Sequence, residues 1–503
     1  MSEQIVIRQS RDIADLVNSG RIKGGNSTFV VLMALAGIFM DAYDFTSIAF
    51  GLSYIQKSFA ISTLLLGIVS GTVLVGALVG SLTGGFLADR IGRYRVFTAD
   101  LVLLIIATLL CAVAPNWWFL LIARFFMGAA VGIDYPVALS FISEYSSQKG
   151  KGRATNMYAP VWYVAVASTY VLLLVGYLAF TAGGWDISQL WRLVVAFGVV
   201  PTVIVLLLRR KYLSESPLWL ATNDLQAAAA VLRRAYGVDA IVADGAVAGT
   251  PGGSRIRLPS GEAFAMLWRG KYRVRTVLSL FVNFCQGTEY YAVGFSLTLV
   301  TEEVIGKGTL IGIVGPLILN IIFGVAGGLV GAFLAPRVGI WKLALFGFVG
   351  TCSSLLLVSF LGRSPFPGAI WLAGLFLGVF LFSHAFGPGT QGVVFPTLSY
   401  PTSFRGAGVG FAQTGNRVGG ALGLVFWPAL SGAFGLNAVA LLAVMPLIGF
   451  ASLLVFRWDP TLVNVDVDDY VDDPAHTDTT YFKVGDVGPQ VGQSGRTSRT
   501  TND

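Results

Sequence analysis

The stretch Gly80–Arg93, GSLTGGFLADRIGR, ends a long apolar run with a short charged turn. A weaker copy, GGLVGAFLAPRVGI, spans Gly327–Ile340, about 247 residues further along the chain. The shared residues of the first copy are Gly80, Gly84, Phe86, Leu87, Ala88, Arg90 and Gly92. Repeats of this kind are typical of membrane proteins built from two related halves. The repeat therefore predicts two structurally similar halves.

The glycines of this repeat recur at four-residue spacing, as in Gly80 and Gly84. Small residues at i and i+4 let two helix backbones approach closely within a lipid bilayer, where the hydrophobic effect cannot bring helices together. We therefore expect these glycines to pack helices and not to bind a ligand.

The composition is that of an integral membrane protein. Of 503 residues, 55% are hydrophobic and 12% are charged, whereas soluble domains carry roughly 25% charged residues. Windows of about 20 apolar residues, the length needed to cross a bilayer, centre near Ile38, Val75, Ile105, Val131, Leu172, Val203, Phe284, Phe323, Leu355, Val379, Gly419 and Leu442. The fold class is therefore an all-α membrane protein with twelve transmembrane helices in two six-helix bundles.

The polar stretches between these windows divide the chain. The expected divisions are an N-terminal tail (1–28), a first bundle (29–208), a central loop (209–275), a second bundle (276–456) and a disordered tail (457–503). About 24 Lys and Arg residues fall on one side of the membrane and about 3 on the other. By the positive-inside rule, both termini are predicted to be cytoplasmic, in a multi-pass protein of the inner or plasma membrane.

Two features are predicted within the central loop. Thr222–Tyr236 is expected to be a short helix, since Asn223 or Asp224 can cap it and Gly237 can end it. Ala243–Gly261 is expected to be a flexible linker.

Several classes of function are disfavoured by the sequence. The formal charge of +7 is spread between apolar runs without a basic stripe, so we expect no nucleic-acid partner. Cys111, Cys285 and Cys352 lie in separate apolar runs and show no metal or disulfide spacing. The membrane part offers one histidine and no phosphate-binding loop, so we expect no enzyme activity, no cofactor and no metal. The expected partners are a small-molecule substrate, protons and the lipid bilayer, with the chain acting as a monomer.

The segment Gly85-Phe-Leu-Ala-Asp89-Arg90-Ile-Gly92-Arg93 resembles the loop signature of the major facilitator superfamily. Arg124–Gly128, Ser214–Pro217 and Tyr400–Gly406 resemble motifs of its sugar-porter-like branch, and of bacterial inner-membrane metabolite transporters within it. The resemblance implies two six-helix bundles that open alternately to either side of the membrane. It also implies a gating loop network, for which the candidates are Asp89, Arg90, Arg93, Glu144, Arg153, Arg337 and Arg405.

Ionisable residues inside the membrane are functional candidates because burying a charge there is costly. Asp41 and Asp44 lie three residues apart on the first helix, so they can share a helix face and titrate jointly. Together with Asp134 they are the proton-coupling candidates. The alternative for the first-helix acids is a structural salt bridge to Arg124. Asp41–Asp44 and Gly132–Pro136 resemble phosphate:proton symporters, and the two first-helix aspartates also resemble aromatic-acid:proton symporters.

The candidate substrate groups are polar or aromatic side chains inside the apolar windows. Arg417 can hold an anion bidentately, although an ion pair with Glu289 would satisfy it equally. Gly387-Pro388-Gly389 predicts a bent or broken helix beside His384. The full candidate set is Arg124, Tyr135, Trp162, Gln286, Glu289, Tyr290, His384, Gln391 and Arg417.

These features predict proton-coupled uptake of a small organic metabolite, an organic acid or a sugar-like compound, by alternating access. Two alternatives remain open at the level of sequence. One is a proton-driven exporter of drugs or metabolites, and the other is a phosphate:proton symporter.

Overall fold

The computed structural model describes residues 5–20, 27–48, 51–221, 223–247, 260–294, 297–304, 308–461 and 463–470. The chain begins with β1 (Ile5–Gln9) and α1 (Ser10–Ser19). The first half then contains α2 (Ser27–Ser47), α3 (Leu52–Ser58), α4 (Thr63–Ile91), α5 (Arg93–Ala112), α6 (Trp117–Glu144), α7 (Gln148–Asn156), α8 (Tyr158–Gly183), α9 (Leu190–Phe197) and α10 (Val199–Tyr212).

The connection between the halves contains α11 (Pro217–Leu220), α12 (Leu225–Tyr236), β2 (Ala240–Val247) and α13 (Ser260–Leu267). The second half contains α14 (Gly270–Glu289), α15 (Leu297–Val304), α16 (Thr309–Leu319), α17 (Ala326–Val338), α18 (Ile340–Leu361), α19 (Ala369–Phe386), α20 (Pro388–Ser399), α21 (Arg405–Phe434), α22 (Asn437–Leu442) and α23 (Val444–Val455). Each predicted window centre lies in one of these helices or in a π-helical segment between two of them.

Ten helical segments of the described chain are long and apolar enough to cross a membrane. The two remaining crossings of the twelve-helix fold are α14 with its continuation, and α21. These two helices carry buried polar side chains, among them Asn283 and Arg417, which lower their apolar content. A helix that lines an internal cavity is expected to be less apolar than one that faces lipid on several sides.

Four described crossings of the second half are interrupted, one of them only at Ala443 between α22 and α23. π-helical segments occupy Tyr290–Gly294 after α14 and Asn320–Val325 between α16 and α17. Gly387 separates α19 from α20, as the Gly-Pro-Gly sequence predicts. Breaks of this kind frequently mark functional sites in helical membrane proteins.

Helices from the two halves are packed against each other through glycines. A Cβ atom added to Gly85 would lie 2.0 Å from the carbonyl oxygen of Gly406, and one added to Gly410 would lie 2.1 Å from that of Ser81. Within the first half, a Cβ on Gly80 would lie 2.1 Å from the carbonyl oxygen of Ala129. The expectation that these glycines allow close backbone approach is confirmed.

We expect Gly80→Ala to destabilise the first half by about 1–3 kcal/mol, because the added methyl group would force α4 and α6 apart. Gly67→Ala on the same helix is the matched control, since a Cβ there meets no atom within 4 Å. That change should be neutral or stabilising by about 0.5 kcal/mol. Thermal unfolding of the purified variants measures both effects. Equal melting temperatures for the two variants would contradict the packing role of Gly80.

Three expectations about the polar segments are settled by the structure. α12 begins after its cap Asp224, whose side chain accepts the N–H of Ala227, and ends at Gly237, as predicted. The predicted linker Ala243–Gly261 is wrong in its first part, because β2 pairs in parallel with β1. It is also wrong at its end, because Ser260 and Gly261 begin α13. Residues 248–259 lie outside the described residues.

Two predicted boundaries are also corrected. Arg209, assigned to the central loop, lies inside α10 and is fully buried. The tail predicted to be disordered from residue 457 instead packs on the protein as far as Tyr470, with Thr461, Val465 and Asp466 buried. A hydrophobic count could not reveal this, since polar contacts hold the tail. Residues 471–503 lie outside the described residues.

Candidate functional site

A cavity lies between the two halves, and aromatic rings form much of its wall. Counted together with the open space at its mouth, its empty volume is about 400 Å³. Six of the side chains predicted to bind substrate line it, namely Tyr135, Trp162, Gln286, Tyr290, His384 and Arg417. Sequence reasoning missed other lining residues, including Tyr158, Tyr163, Tyr291, Gln413 and Asn416.

A chain of hydrogen bonds fixes the side of the cavity formed by α8, α14 and α19. Trp162 donates its indole N–H to the hydroxyl of Tyr290 at 2.8 Å. The His384 ring forms hydrogen bonds with the Tyr163 hydroxyl at 3.1 Å through Nδ1 and with the side-chain oxygen Oε1 of Gln286 at 3.2 Å through Nε2. The Tyr290 and His384 rings stack with centroids 4.7 Å apart. Both His384 nitrogens are thus engaged in holding the wall.

Arg417 lies on the opposite side of the cavity, on α21. Its guanidinium donates from Nη1 to the Tyr291 hydroxyl at 3.0 Å, while Nε and Nη2 have no hydrogen-bond partner among the described residues. The rings of Phe45 and Tyr135 each lie 5.2 Å from its Cζ atom. The residue is 2% exposed and lines the cavity.

Three predicted substrate residues lie outside the cavity wall. Arg124 is buried inside the first half beside Asp44. Gln391 donates to Asn156 at 2.8 Å and joins the two halves. Glu289 is fully buried, lies within interaction range of Thr351 and Cys352 on α18, and does not line the cavity.

Three carboxyl groups and one guanidinium form a buried cluster inside the first half. Arg209 contacts Asp134 at 3.2 Å and Asp100 at 3.7 Å, and Asp41 lies within interaction range of Asp134. All four side chains are at most 2% exposed. Three ionised carboxylates against one arginine would leave excess negative charge in a buried site, which is unfavourable.

Asp44 belongs to a different group from Asp41. It interacts electrostatically with Arg124, but no hydrogen bond or ion pair joins them. The expectation that Asp41 and Asp44 titrate as one pair is therefore not met, because the two side chains face different neighbours. The alternative, a salt bridge between these acids and Arg124, is not formed either, because Arg124 interacts with Asp44 only at longer range.

Asp100 and Arg209 were missed as candidates. Asp100 lies within an apolar window, and an ionisable residue in such a window could have been recognised as a candidate. Arg209 begins the basic run Arg209-Arg210-Lys211, so its sequence context resembles an ordinary membrane-flanking loop. Its burial depends on carboxylates from α5 and α6, which sequence spacing does not reveal.

A network of charged side chains closes one end of the bundle, here called the terminal face because both terminal segments pack there. Glu144 accepts from Arg93 at 3.0 Å and Arg405 at 3.4 Å through the same oxygen. Arg93 also contacts Asp89 at 2.9 Å and the carbonyl oxygen of Thr402 at 3.2 Å. Since Thr402 and Arg405 belong to the second half, these contacts join the two halves.

The other predicted gating residues have different positions. Arg153, on α7, lies over the ring of Phe333 in the second half, 4.4 Å from its centroid. Arg90 and Arg337 are exposed at the ends of α4 and α17. The acid of the Ser-Glu-Ser-Pro motif, Glu215, accepts the backbone N–H groups of Arg93 and Tyr94 at the start of α5. The terminal face therefore combines ion pairs with a capped helix end.

The C-terminal tail adds an acid to this network. Asp466 accepts from Lys151 at 2.7 Å and from Thr402 at 2.9 Å, and it also pairs with Arg405. Lys151 belongs to the first half, so Asp466 bridges both halves from a third segment of chain. Burial alone would raise the pKa of Asp466, but Arg405 and Lys151 outweigh it and hold the pKa below its ordinary value.

We expect Asp466→Asn to release the tail at neutral pH, because losing one partner of a buried ion pair costs about 3–5 kcal/mol. Because the folded-state pKa is depressed, the contribution of Asp466 is present above about pH 4 and is lost as pH falls below that value. Hydrogen exchange of residues 463–470 should be faster in the variant than in the wild type. In the wild type, the protection of these residues should be the same at pH 5.5 and pH 8 once intrinsic exchange rates are corrected. Asp468→Asn, which breaks a partly exposed pair with Lys271, should have a smaller effect. Equal protection in all three proteins would contradict this role.

Comparison with known proteins identifies the same architecture. A family model described as sugar (and other) transporter matches residues 29–461. The chain is 26% identical over 425 residues to the inner membrane metabolite transport protein YgcS of Escherichia coli (strain K12), covering 84% of this chain and 88% of that protein. It is 25% identical to the niacin transporter NiaP of Acinetobacter baylyi (84% and 92% covered) and 28% identical to the glucose transporter GlcP of Staphylococcus epidermidis (84% and 91%).

The fold is also shared with a solved transporter structure. The proton:xylose symporter XylE bound to 6-bromo-6-deoxy-D-glucose aligns with a TM-score of 0.71 at 18% identity. The alignment covers 88% of this chain and 97% of that chain. The predicted twelve-helix fold of two six-helix bundles is confirmed.

Proposed function

Because the chain belongs to the sugar (and other) transporter family, we propose that it imports a small organic metabolite together with protons by alternating access. The substrate is an organic acid or a sugar-like compound, and it binds in the cavity between the two halves. The terminal face, with both chain termini, lies on the cytoplasmic side.

The observation that carries this proposal is the junction of the acid cluster with the cavity. Asp134 faces Arg209 inside the first half, while the next residue, Tyr135, lines the cavity beside Arg417. A change in the protonation of Asp134 would thus act on the helix segment that touches substrate. Differential binding of this kind is what couples two sites in one protein.

The terminal face supplies the closing element that alternating access requires. Its contacts link Arg93 and Glu144 of the first half with Thr402 and Arg405 of the second. Separating the halves at this face would break those contacts and open a path from the cavity. Proton binding at the acid cluster and substrate binding in the cavity would together set the balance between the two states.

The names of the relatives support transport of a small metabolite, but the substrates that they state differ from one relative to the next. YgcS is named a metabolite transport protein, NiaP a niacin transporter and GlcP a glucose transporter. Proteins of one fold can therefore carry an aromatic acid or a sugar, and the side chains of the cavity must decide between them. XylE, whose fold this chain shares, is described as a proton:xylose symporter.

Transport by the purified protein tests the proposal. Compounds that raise its melting temperature would be offered, as radiolabelled substrates, to proteoliposomes with an acidic exterior. We expect accumulation that disappears when the pH gradient is removed. Accumulation at the same level without a gradient would contradict proton coupling, and accumulation driven only by an acidic interior would indicate an exporter.

A further inference from the structure

The cavity wall presents unpaired hydrogen-bond donors on one face of α21. Arg417 has two such atoms, Nε and Nη2, and Gln413 has one, its side-chain nitrogen. The two residues are four positions apart, so they lie one above the other on the same helix face. Both are at most 2% exposed and both line the cavity.

These unpaired donors indicate the charge of a ligand that would pair with them. Among the described residues of the wall, the buried side-chain atoms that lack a hydrogen-bond partner are all donors. Asp41 interacts electrostatically with Arg417 but forms no ion pair with it, and Glu289 lies elsewhere. A buried guanidinium with two unpaired nitrogen atoms and no ion-pair partner is unfavourable. An acceptor with negative charge would match this wall.

The facing wall is aromatic and its polar atoms are already paired. Trp162 bonds Tyr290, and Tyr163 bonds His384, which in turn bonds Gln286. These side chains therefore offer a ligand mainly their ring surfaces, because their polar atoms are hydrogen-bonded to one another. Tyr135 lies beside Arg417 and meets the Trp162 ring edge to face at 6.3 Å, so the ring surface continues up to the guanidinium.

We propose that the cavity binds a planar aromatic monocarboxylate, with the carboxylate on Arg417 and Gln413 and the ring against the aromatic wall. This inference rests on the proposed transport function and names its substrate class. Guanidinium holds a carboxylate through two parallel hydrogen bonds, and aromatic rings add favourable offset or edge contacts with the ligand ring.

The same features disfavour the other two substrate classes. A sugar offers many hydroxyl groups, each of which needs a partner when buried, whereas the facing wall has few unpaired polar atoms. Phosphate carries up to two negative charges and is usually met by several cationic groups. Among the described lining residues, the basic side chains are Arg417 and the hydrogen-bonded His384.

Calorimetric binding to the full-length protein in lipid nanodiscs, without any gradient, tests this inference. The probes are benzoate, cyclohexanecarboxylate (the same charge without the aromatic ring), benzamide (the ring without the charge), glucose and inorganic phosphate. We expect benzoate to bind at least tenfold more tightly than benzamide and at least threefold more tightly than cyclohexanecarboxylate. Tighter binding of glucose or phosphate than of benzoate, or no binding of benzoate at millimolar concentration, would overturn the inference.

Variants of the arginine separate recognition from folding. Arg417→Gln should weaken benzoate at least tenfold and leave benzamide unchanged, which also shows that the cavity is intact. Arg210→Gln, at an exposed arginine outside the cavity, is the control and should leave both affinities unchanged. Equal benzoate affinity in Arg417→Gln and wild type would refute the assignment. This experiment measures binding and not transport. If benzoate fails to bind, the substrate class is wrong, while proton-coupled transport of another compound is tested separately in proteoliposomes.

Discussion

Asp134→Asn is expected to abolish proton-driven accumulation while leaving substrate exchange in place. One pH unit corresponds to about 1.4 kcal/mol, or a factor of about ten. A wild-type carrier coupled to one proton should therefore concentrate substrate about tenfold across such a gradient, and the variant should reach only about equal concentrations. Radiolabelled uptake and counterflow in the same proteoliposomes measure the two properties. Asp15→Asn, at an exposed residue paired with Arg11 on α1, is the matched control.

A second variant separates coupling from structural pairing. Asp134→Asn leaves Arg209 buried with one ion-pair partner fewer, which is destabilising in itself. The double variant Asp134→Asn/Arg209→Gln removes both charges and should recover melting temperature relative to the single variant. It should still fail to accumulate substrate, because the proton site is gone. Recovery of full accumulation in the double variant would show that Asp134 serves only to balance Arg209.

Glu144→Gln is expected to open the terminal face. A single oxygen of Glu144 accepts from Arg93 and Arg405, and the side chain is fully buried. Removing its charge should cost the closed state about 3 kcal/mol or more, which corresponds to a population change of roughly a hundredfold. The variant should therefore favour the state open at this face and transport at least tenfold more slowly.

Cysteine labelling measures this opening. Val393 lines the cavity and is 2% exposed, so Val393→Cys in a background without the native cysteines reports access to the site. A membrane-impermeant maleimide applied from the terminal face should label it at least tenfold faster in Glu144→Gln. Glu262→Gln, at an exposed acid of α13, should not change the rate. Equal labelling with and without Glu144→Gln would contradict its gating role.

Much of the fold could be predicted from sequence because the bilayer imposes a simple rule. Each crossing needs about 20 apolar residues, and the windows found this way coincide with the observed helices. The glycine repeat predicted close helix packing, which Gly80 and its counterpart Gly327 confirm. The charged end of the repeat and its resemblance to the major facilitator superfamily predicted the arrangement of two halves, and the family match confirms it.

The candidate site was less predictable because it depends on which way each side chain faces. Arg417 and Glu289 are charged residues on two different helices, yet Arg417 lines the cavity while Glu289 lies toward α18. Arg209 was assigned to a loop because it begins a basic run, although it is buried against Asp100 and Asp134. Asp466 was assigned to a disordered tail because its neighbours are polar, although Arg405 and Lys151 hold it.

Proton movement during transport tests the central claim most directly. Substrate would be added outside lightly buffered proteoliposomes that contain a pH indicator, with no gradient at the start and with potassium and valinomycin present to dissipate any membrane potential. Proton-coupled import predicts that the exterior becomes more alkaline as substrate enters with protons, and that Asp134→Asn shows no such change. Entry of substrate into wild-type vesicles without any proton movement would contradict the account.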